Sequence, residues 1–188
     1  ENVQQQRIEI QAAQKELGET IHLLQGAEVE ILADGNLDYP DELLAELDIV
    51  TASLHSSLRQ PREKITERLL RAMRNPHVDI IGHPTGRLLP NREGAELDMD
   101  AVLAAAQETG VALEINANPA RLDLEDVYAR RAVEMGVHIA INTDAHSQSD
   151  LELLHFGVAT ARRGWVEPQH VLNTWEPNVL IDWLKARG

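Results

Sequence analysis

Short apolar runs rich in valine and isoleucine alternate with charged segments of helical spacing along most of the chain. Near-continuous apolar strands joined by helices indicate a parallel sheet covered on both faces, so the fold is either an α/β barrel or a doubly wound sheet. The sequence contains neither GxGxxG nor GxxxxGK(S/T), the motifs of nucleotide-binding open sheets, and this favours the barrel. After an opening helix over 2–17, the predicted strands lie within 21–32, 47–55, 78–84, 111–119 and 137–146.

Two of the predicted helices have an apolar face and recognisable end signals. The segment 61–75 places its apolar residues on one face and its arginines, including Arg68, on the exposed face. In 122–136, Asp123 is positioned to cap the N-terminus, and Gly136 is positioned to end the helix in a left-handed conformation. Both segments therefore fit the helical steps of an α/β fold.

Composition and charge restrict the classes of function. No linker rich in Pro, Gly or Ser divides the sequence, so residues 1–188 are predicted to form one domain. The formal net charge of -14 argues against this chain alone gripping DNA or anionic lipid. The chain has no cysteine, which excludes disulfides and thiolate metal sites. No apolar run approaches the ~20 residues that a membrane span needs, and no signal-type segment is visible, so a cytoplasmic location is expected.

Polar side chains recur where the predicted strands end, and these positions carry the candidate site. In a parallel barrel all strand C-termini open on one face, where loops build the active site. Imidazole and carboxylate groups gathered there are a ligand set for zinc, manganese or iron, so metal binding is predicted. For each residue alone, a hydrogen-bonded structural role is the alternative. The residues concerned are Glu28, His55, His83, Asn116, Asp144 and His146.

Two arginines follow strands that carry candidate site residues. Arg87 lies in "GHPTGR" and Arg121 in "NANPARLDL". The planar guanidinium binds phosphate oxygens in pairs, so an arginine beside a metal cluster suggests phosphoester chemistry. The alternative for each is a salt bridge within this acidic chain. The other histidines lack the strand-end position and are assigned structural roles: His22, His77, His138, His155 and His170.

Five segments in this order, "GAEVEIL", "ASLHS", "GHPTGR", "EINANPARLDL" and "NTDAHS", closely resemble the polymerase and histidinol phosphatase (PHP) superfamily. The resemblance spans nearly the whole chain and implies a distorted seven-stranded (βα) TIM-like barrel. The stretch "DLELLHFGVATARRGWVEPQHVLNT" is especially similar to the PHP domain at the C-terminus of bacterial family X DNA polymerases. The family holds up to three divalent ions. The resemblance therefore implies that the intact domain binds up to three ions, and we expect these to be manganese or zinc.

The resemblance also implies a role for each candidate ligand. Glu28 would bridge two metals, and His55 and His83 would complete one of those two sites. Asp144 would serve the other site, and His146 a third ion. The Ala145 between these last two residues would let both side chains reach the same bowl.

The resemblance gives Asn116, Arg87 and Arg121 supporting contacts or contacts to the substrate phosphate. Other parts of the family pattern are missing. The His-x-His strand and the Thr-Asp-His motif that open the family have no match in residues 1–27. We therefore expect the first two barrel strands to be absent, the chain to be the C-terminal portion of a larger polypeptide, and these 188 residues alone to be inactive.

The function implied by the resemblance is metal-dependent phosphoester hydrolysis. The leading hypothesis is a 3′–5′ exonuclease that processes DNA 3′ ends in repair, with manganese, and reaches DNA through an attached polymerase module. One alternative is a small-molecule phosphatase similar to histidinol phosphatase. Another is a noncatalytic structural module attached to a polymerase.

Overall fold

The computed structural model describes residues 2–19 and 21–187 and has the predicted alternation of strands and helices. No helix among these residues has the length and apolar character needed to cross a membrane. The helices and strands are α1 (Asn2–Leu17), β1 (Gly26–Glu30), α2 (Asp41–Leu44), β2 (Ile49–Ser53), α3 (Arg62–Met73), β3 (Ile80–Gly82), α4 (Met99–Thr109), β4 (Ala112–Asn116), α5 (Asp126–Glu134), β5 (Ile139–Asn142), α6 (Leu154–Arg163) and α7 (Pro177–Lys185). Short 3-10 helices lie at Gln148–Leu153, Pro168–His170 and Leu172–Thr174.

The five strands form one parallel sheet in the order β1-β2-β3-β4-β5. Glu28, Thr51, Ile80 and Ala112 lie opposite one another on successive strands and fix the register of the first four. All strand C-termini therefore lie at one edge of the sheet, as predicted for an α/β fold. This open sheet is compatible with a barrel, and closure of the barrel remains a prediction.

One face of the sheet carries the main apolar core, because alternate strand residues point to it. The helices α3 to α6 cover this face. Burying each large aliphatic side chain stabilises the fold by roughly 1.5–3 kcal/mol. Fully buried members include Val29, Ile81, Leu113, Ile115 and Ile139 from the strands and Ile65, Leu69, Val102 and Leu103 from the helices.

The opposite face of the sheet is divided along the strands. Toward the strand N-termini, Ile80, Ala112 and Ala140 pack with Leu172 in a second apolar cluster, joined by side chains of α7. Successive residues on this face lie two positions apart along each strand. Toward the strand C-termini, the residues on this face are polar. The C-terminal segment thus covers the apolar half and leaves the polar half for the site.

Two predictions about charged residues are wrong. Arg68 was expected on the exposed face of its helix but is 2% exposed. Its guanidinium donates hydrogen bonds to the carbonyl oxygens of Ile31 and Ser56, in the connections that follow β1 and β2. A loop carbonyl that is buried needs a donor, and this need overrides the surface preference of arginine.

Asp123 does not cap a helix. It is fully buried, and helix α5 begins at Asp126. One Asp123 carboxylate oxygen accepts hydrogen bonds from the backbone N–H and hydroxyl of Thr85 and from the backbone N–H of Gly86. The predicted left-handed conformation of Gly136 is confirmed by its φ of 82°.

Candidate metal centre

Glu28, His55 and His83 converge at the C-terminal edge of the sheet. Glu28 lies on β1, His55 lies two residues after β2, and His83 directly follows β3. The Oε1 atom of Glu28 is 3.0 Å from Nε2 of His83 and 3.4 Å from Nε2 of His55. One ligand atom from each residue lies within 4.8 Å of the others, which is the spacing of a shared ion. The three residues predicted to complete one site are therefore brought together.

His83 provides a test of whether these residues fit a metal ion. Its side chain is 2% exposed, and neither ring nitrogen makes a hydrogen bond within residues 2–19 and 21–187. The approach of Nε2 to Glu28 is short but lacks the alignment of a hydrogen bond. A buried imidazole without partners is costly, and an ion accepting the Nε2 lone pair would compensate that cost. Two imidazoles and one carboxylate suit zinc or manganese, so the residues fit a divalent ion.

The backbone is unusual at two of the candidate positions. His83 has a φ of 27° and Asp144 a φ of 54°. Positive φ is uncommon for residues other than glycine and is found disproportionately at functional sites. Both residues stand just beyond a strand, where the chain turns away from the sheet. The local conformation thus agrees with a functional role for this edge.

The site is electrostatically polarised. Contact with His55, followed by contact with His83, holds the pKa of Glu28 well below its usual range. The pKa of His55 is raised, chiefly by Glu28 and with help from Glu30, although partial burial opposes this. Glu28 is therefore an anion that attracts cations to the two imidazoles.

A cavity of about 120 Å³ adjoins Glu28 and His83. On its far side, the Asp144 carboxylate accepts a hydrogen bond of 3.2 Å from Asn116 and lies 3.3 Å from Nε of Arg121. Asp144 and Asn116 therefore share the cavity with the ligand group, and Arg121 lies behind Asp144. The cavity is lined by Glu28, Thr51, His83, Glu114, Asn116 and Asp144.

Two predicted site residues lie outside this group. The His146 side chain is 84% exposed, and its Nδ1 contacts the backbone oxygen of Asp144 at 2.7 Å. The guanidinium of Arg87 pairs with Glu125 and donates to the carbonyl oxygens of Arg121 and Leu122. The structure thus favours the ion-pair alternative for Arg87 over phosphate binding.

Sequence reasoning missed two acidic residues at this edge. Glu30 lies 2.8 Å from Nδ1 of His55. Glu114 is buried, accepts a 2.6 Å hydrogen bond from the backbone N–H of His83, and has a pKa that burial raises to about 6. Glu30 is two residues after Glu28, and Glu114 is two residues before Asn116. The two-residue period of a strand would have placed each on the same face as its predicted neighbour.

Comparison with known proteins gives two kinds of relative. The chain is 51% identical over 173 residues to the DNA polymerase/3'-5' exonuclease PolX of Bacillus subtilis (strain 168), covering 92% of this chain and 30% of PolX. It is 37% identical over 179 residues to a probable phosphatase of Thermoanaerobacter sp. (strain X514), covering 90% of this chain and 70% of the phosphatase. A probable phosphatase of Shewanella oneidensis is 32% identical over 178 residues and is covered to 68%. No protein-family model matches the chain.

Proposed function

The chain belongs to the family of these bacterial probable phosphatases, and on this basis we propose that it is a metal-dependent phosphoesterase domain of the PHP type. The observation that carries the proposal is the meeting of Glu28, His55 and His83, with His83 buried and neither of its ring nitrogens hydrogen-bonded among the described residues. The absence of a hydrogen bond to this buried imidazole is explained if an ion occupies the group. The proposal includes closure of the sheet into the distorted barrel expected from the resemblance.

The residues divide the chemical tasks between the two sides of the cavity. Glu28, His55 and His83 would hold a divalent ion, which when bound lowers the pKa of a water molecule and polarises a phosphate oxygen. Across the cavity, the Arg121 guanidinium beside Asp144 offers a planar cation suited to phosphate oxygens. Asn116 holds Asp144 toward the cavity through its side-chain amide. A phosphoester in the cavity would meet the positive charge of the ion, whereas Arg121 would act from behind Asp144.

We extend the proposal to DNA 3′ ends as substrate, processed in DNA repair with manganese. Support comes from the 51% identity to a protein named as a 3'-5' exonuclease. The net charge of -14 makes duplex binding by this chain alone unfavourable, so an attached polymerase module would supply the grip on DNA. The cytoplasm is the proposed location.

A second candidate is a small-molecule phosphatase, with histidinol phosphate as the example substrate. This candidate is favoured by the share of each relative's length that the chain matches, which is 70% for the Thermoanaerobacter probable phosphatase and 30% for PolX. A cavity of about 120 Å³ also suits a single phosphate group. The two candidates share the metal centre and differ in the substrate, which is a phosphodiester at a DNA end in one case and a phosphomonoester in the other.

The test measures hydrolysis by the polypeptide that contains this chain, with manganese, of a DNA strand labelled at its 3′ end and of histidinol phosphate. Glu28→Gln and His83→Ala should each lower activity by at least the roughly 10- to 100-fold that follows loss of a contact to a metal ligand. His155→Ala is the control, because this histidine is exposed on α6 and lies outside the lining of the cavity.

The outcomes separate the candidates. Release of nucleotides from the 3′ end supports the exonuclease, and hydrolysis of histidinol phosphate alone supports the small-molecule phosphatase. Undiminished activity in both Glu28→Gln and His83→Ala would remove this centre from the reaction. Manganese binding without hydrolysis of either substrate would favour a structural module.

A further inference from the structure

Glu30 makes an unusually complete set of contacts beside the metal centre. Its Oε2 accepts a 3.1 Å hydrogen bond from the backbone N–H of His55 and lies 2.8 Å from Nδ1 of the same residue. Its Oε1 accepts hydrogen bonds from the backbone N–H and the hydroxyl of Ser56 at 3.1 and 2.6 Å, and lies 3.3 Å from Nη2 of Arg68. Both oxygens are thus engaged within the protein, whereas Glu28 faces the imidazoles. Glu30 is therefore built to hold its neighbours and not to bind an ion.

The two histidines of the centre need different support. The His83 side chain is 2% exposed and is confined by its surroundings, while that of His55 is 43% exposed. A half-exposed imidazole can rotate or present either ring nitrogen unless a partner holds it. A carboxylate can only accept at Nδ1, so the contact with Glu30 requires the proton on Nδ1 and makes Nε2, which lies 3.4 Å from Oε1 of Glu28, the nitrogen available to an ion.

Arg68 explains how Glu30 itself stays in place. Its side chain is 1% exposed, and it donates to the carbonyl oxygen of Ile31, just after Glu30, and to that of Ser56, just after His55. The guanidinium therefore joins the ends of β1 and β2 at the level of the Glu30 carboxylate. This arrangement gives the buried arginine a role in the site as well as in the fold.

We propose that Glu30 is a positioning residue that fixes His55 with Nδ1 protonated and Nε2 directed to the metal centre. The inference depends on the proposed metal centre, but it concerns a residue that contributes no ligand. Carboxylates that hold metal-binding histidines in this way typically contribute 10- to 100-fold to metal affinity.

The first measurement needs no variant. Imidazole nitrogen NMR of the protein, metal-free at a pH where His55 is neutral and then with zinc alone, reports which ring nitrogen carries the proton. We expect Nδ1 to be protonated in both states and Nε2 to bind zinc. Protonation of Nε2, or zinc on Nδ1, would overturn the positioning role even if every variant failed to fold.

The second measurement is zinc affinity by competition with a chromophoric chelator. Glu30→Gln should bind zinc about 10- to 100-fold more weakly. Glu134→Gln is the matched control, because this glutamate forms an exposed ion pair with Arg130. Since Glu30→Gln also removes a negative charge, the same change is made in a His55→Ala background. An effect through His55 disappears there, whereas a general loss of charge persists and would refute the proposal.

Failure of the inference can be told apart from failure of the proposed function. Wild-type protein that binds zinc, with Glu30→Gln equally tight, overturns the positioning role and leaves the metal centre standing. Wild-type protein that binds neither zinc nor manganese removes the proposed function. In that case the metal-free NMR measurement still decides whether Glu30 orients His55.

Discussion

Asp79 is a buried carboxylate remote from the candidate centre, and its titration predicts how stability depends on pH. Its Oδ2 accepts a 2.8 Å hydrogen bond from the backbone N–H of Val50, and its Oδ1 lies 3.5 Å from Nε of Arg187. Burial raises the pKa of Asp79 to about 6, against the lowering by Val50 and Arg187. Burial also lowers the pKa of Arg187. Desolvation thus outweighs the attraction within this ion pair.

The raised pKa of Asp79 determines the sign and the size of its effect on stability. The ordinary pKa of Asp79 is 3.8, so the folded state holds the proton more tightly than the unfolded state. The contribution to stability is therefore complete below pH 3.8 and is lost as pH rises through about 6. At 1.36 kcal/mol per pKa unit, the full effect is about 3 kcal/mol, of which about 1 kcal/mol falls between pH 5 and 7.

The variant Asp79→Asn isolates this effect, because asparagine cannot ionise yet still accepts the Val50 N–H. Urea unfolding of both proteins at pH 5, 6 and 7 gives the difference in the free energy of unfolding. Relative to Asp79→Asn, wild-type stability should fall by about 1 kcal/mol from pH 5 to 7. In Asp79→Asn, the loss of the ion pair with Arg187 changes the free energy of unfolding by a constant amount between pH 5 and 7. It therefore does not alter the dependence of stability on pH.

The control for this series is Asp100→Asn. Asp100 is exposed, and its pKa is lowered chiefly by the hydrogen bond from Arg131. Its removal should change the free energy of unfolding by the same amount at pH 5, 6 and 7, because an aspartate with a lowered pKa is ionised in both the folded and the unfolded state throughout this range. A constant difference between wild type and Asp79→Asn from pH 5 to 7, or one of reversed sign, would refute the reasoning.

Two further changes test the packing and the loop that support the site. In Gly157→Ala, the added methyl group would lie 2.5 Å from the Ile141 side chain, so we expect a loss of about 1–3 kcal/mol in urea unfolding despite the better helix propensity; an unchanged midpoint would show that α6 can shift freely. Asp123→Ala leaves the donors of residues 85–86 without their acceptor. We expect the free energy of unfolding to fall by about 3 kcal/mol and zinc binding to weaken, because this loop follows His83. Wild-type stability together with wild-type zinc affinity would contradict a role of Asp123 in holding the loop.

The strand alternation and the proximity of three candidate site residues could be predicted for the same reason. Each apolar run of the sequence contains one strand, but the strand is shorter than the run. Strand hydrogen bonding extends only over the residues that are paired with a neighbouring strand. The strand-end rule brought Glu28, His55 and His83 together without any knowledge of loop geometry. The proximity of these three residues could be predicted because it depends on strand direction alone.

The supporting residues could not be predicted in this way. Arg68 and Asp123 have the composition of a solvated helix face and a helix cap, yet both lie buried against loops. Their partners are backbone groups exposed by the path of a loop, and no periodicity in the sequence records that path. Glu30 is an intermediate case, since the strand period gives its face but not its contact with His55.

The buried polar groups at this edge differ in where they find their partners. Arg68 and the Oδ2 atom of Asp123 hydrogen-bond mainly to the backbone, so the fold itself accounts for the burial of these groups. His83 is equally buried, but its ring nitrogens have no hydrogen-bond partner within the described residues. Desolvating an imidazole without compensation opposes folding, and marginal stability leaves little room for such a cost. A partner from outside the chain would resolve this cost, and the neighbouring anion of Glu28 would favour a cation in that place.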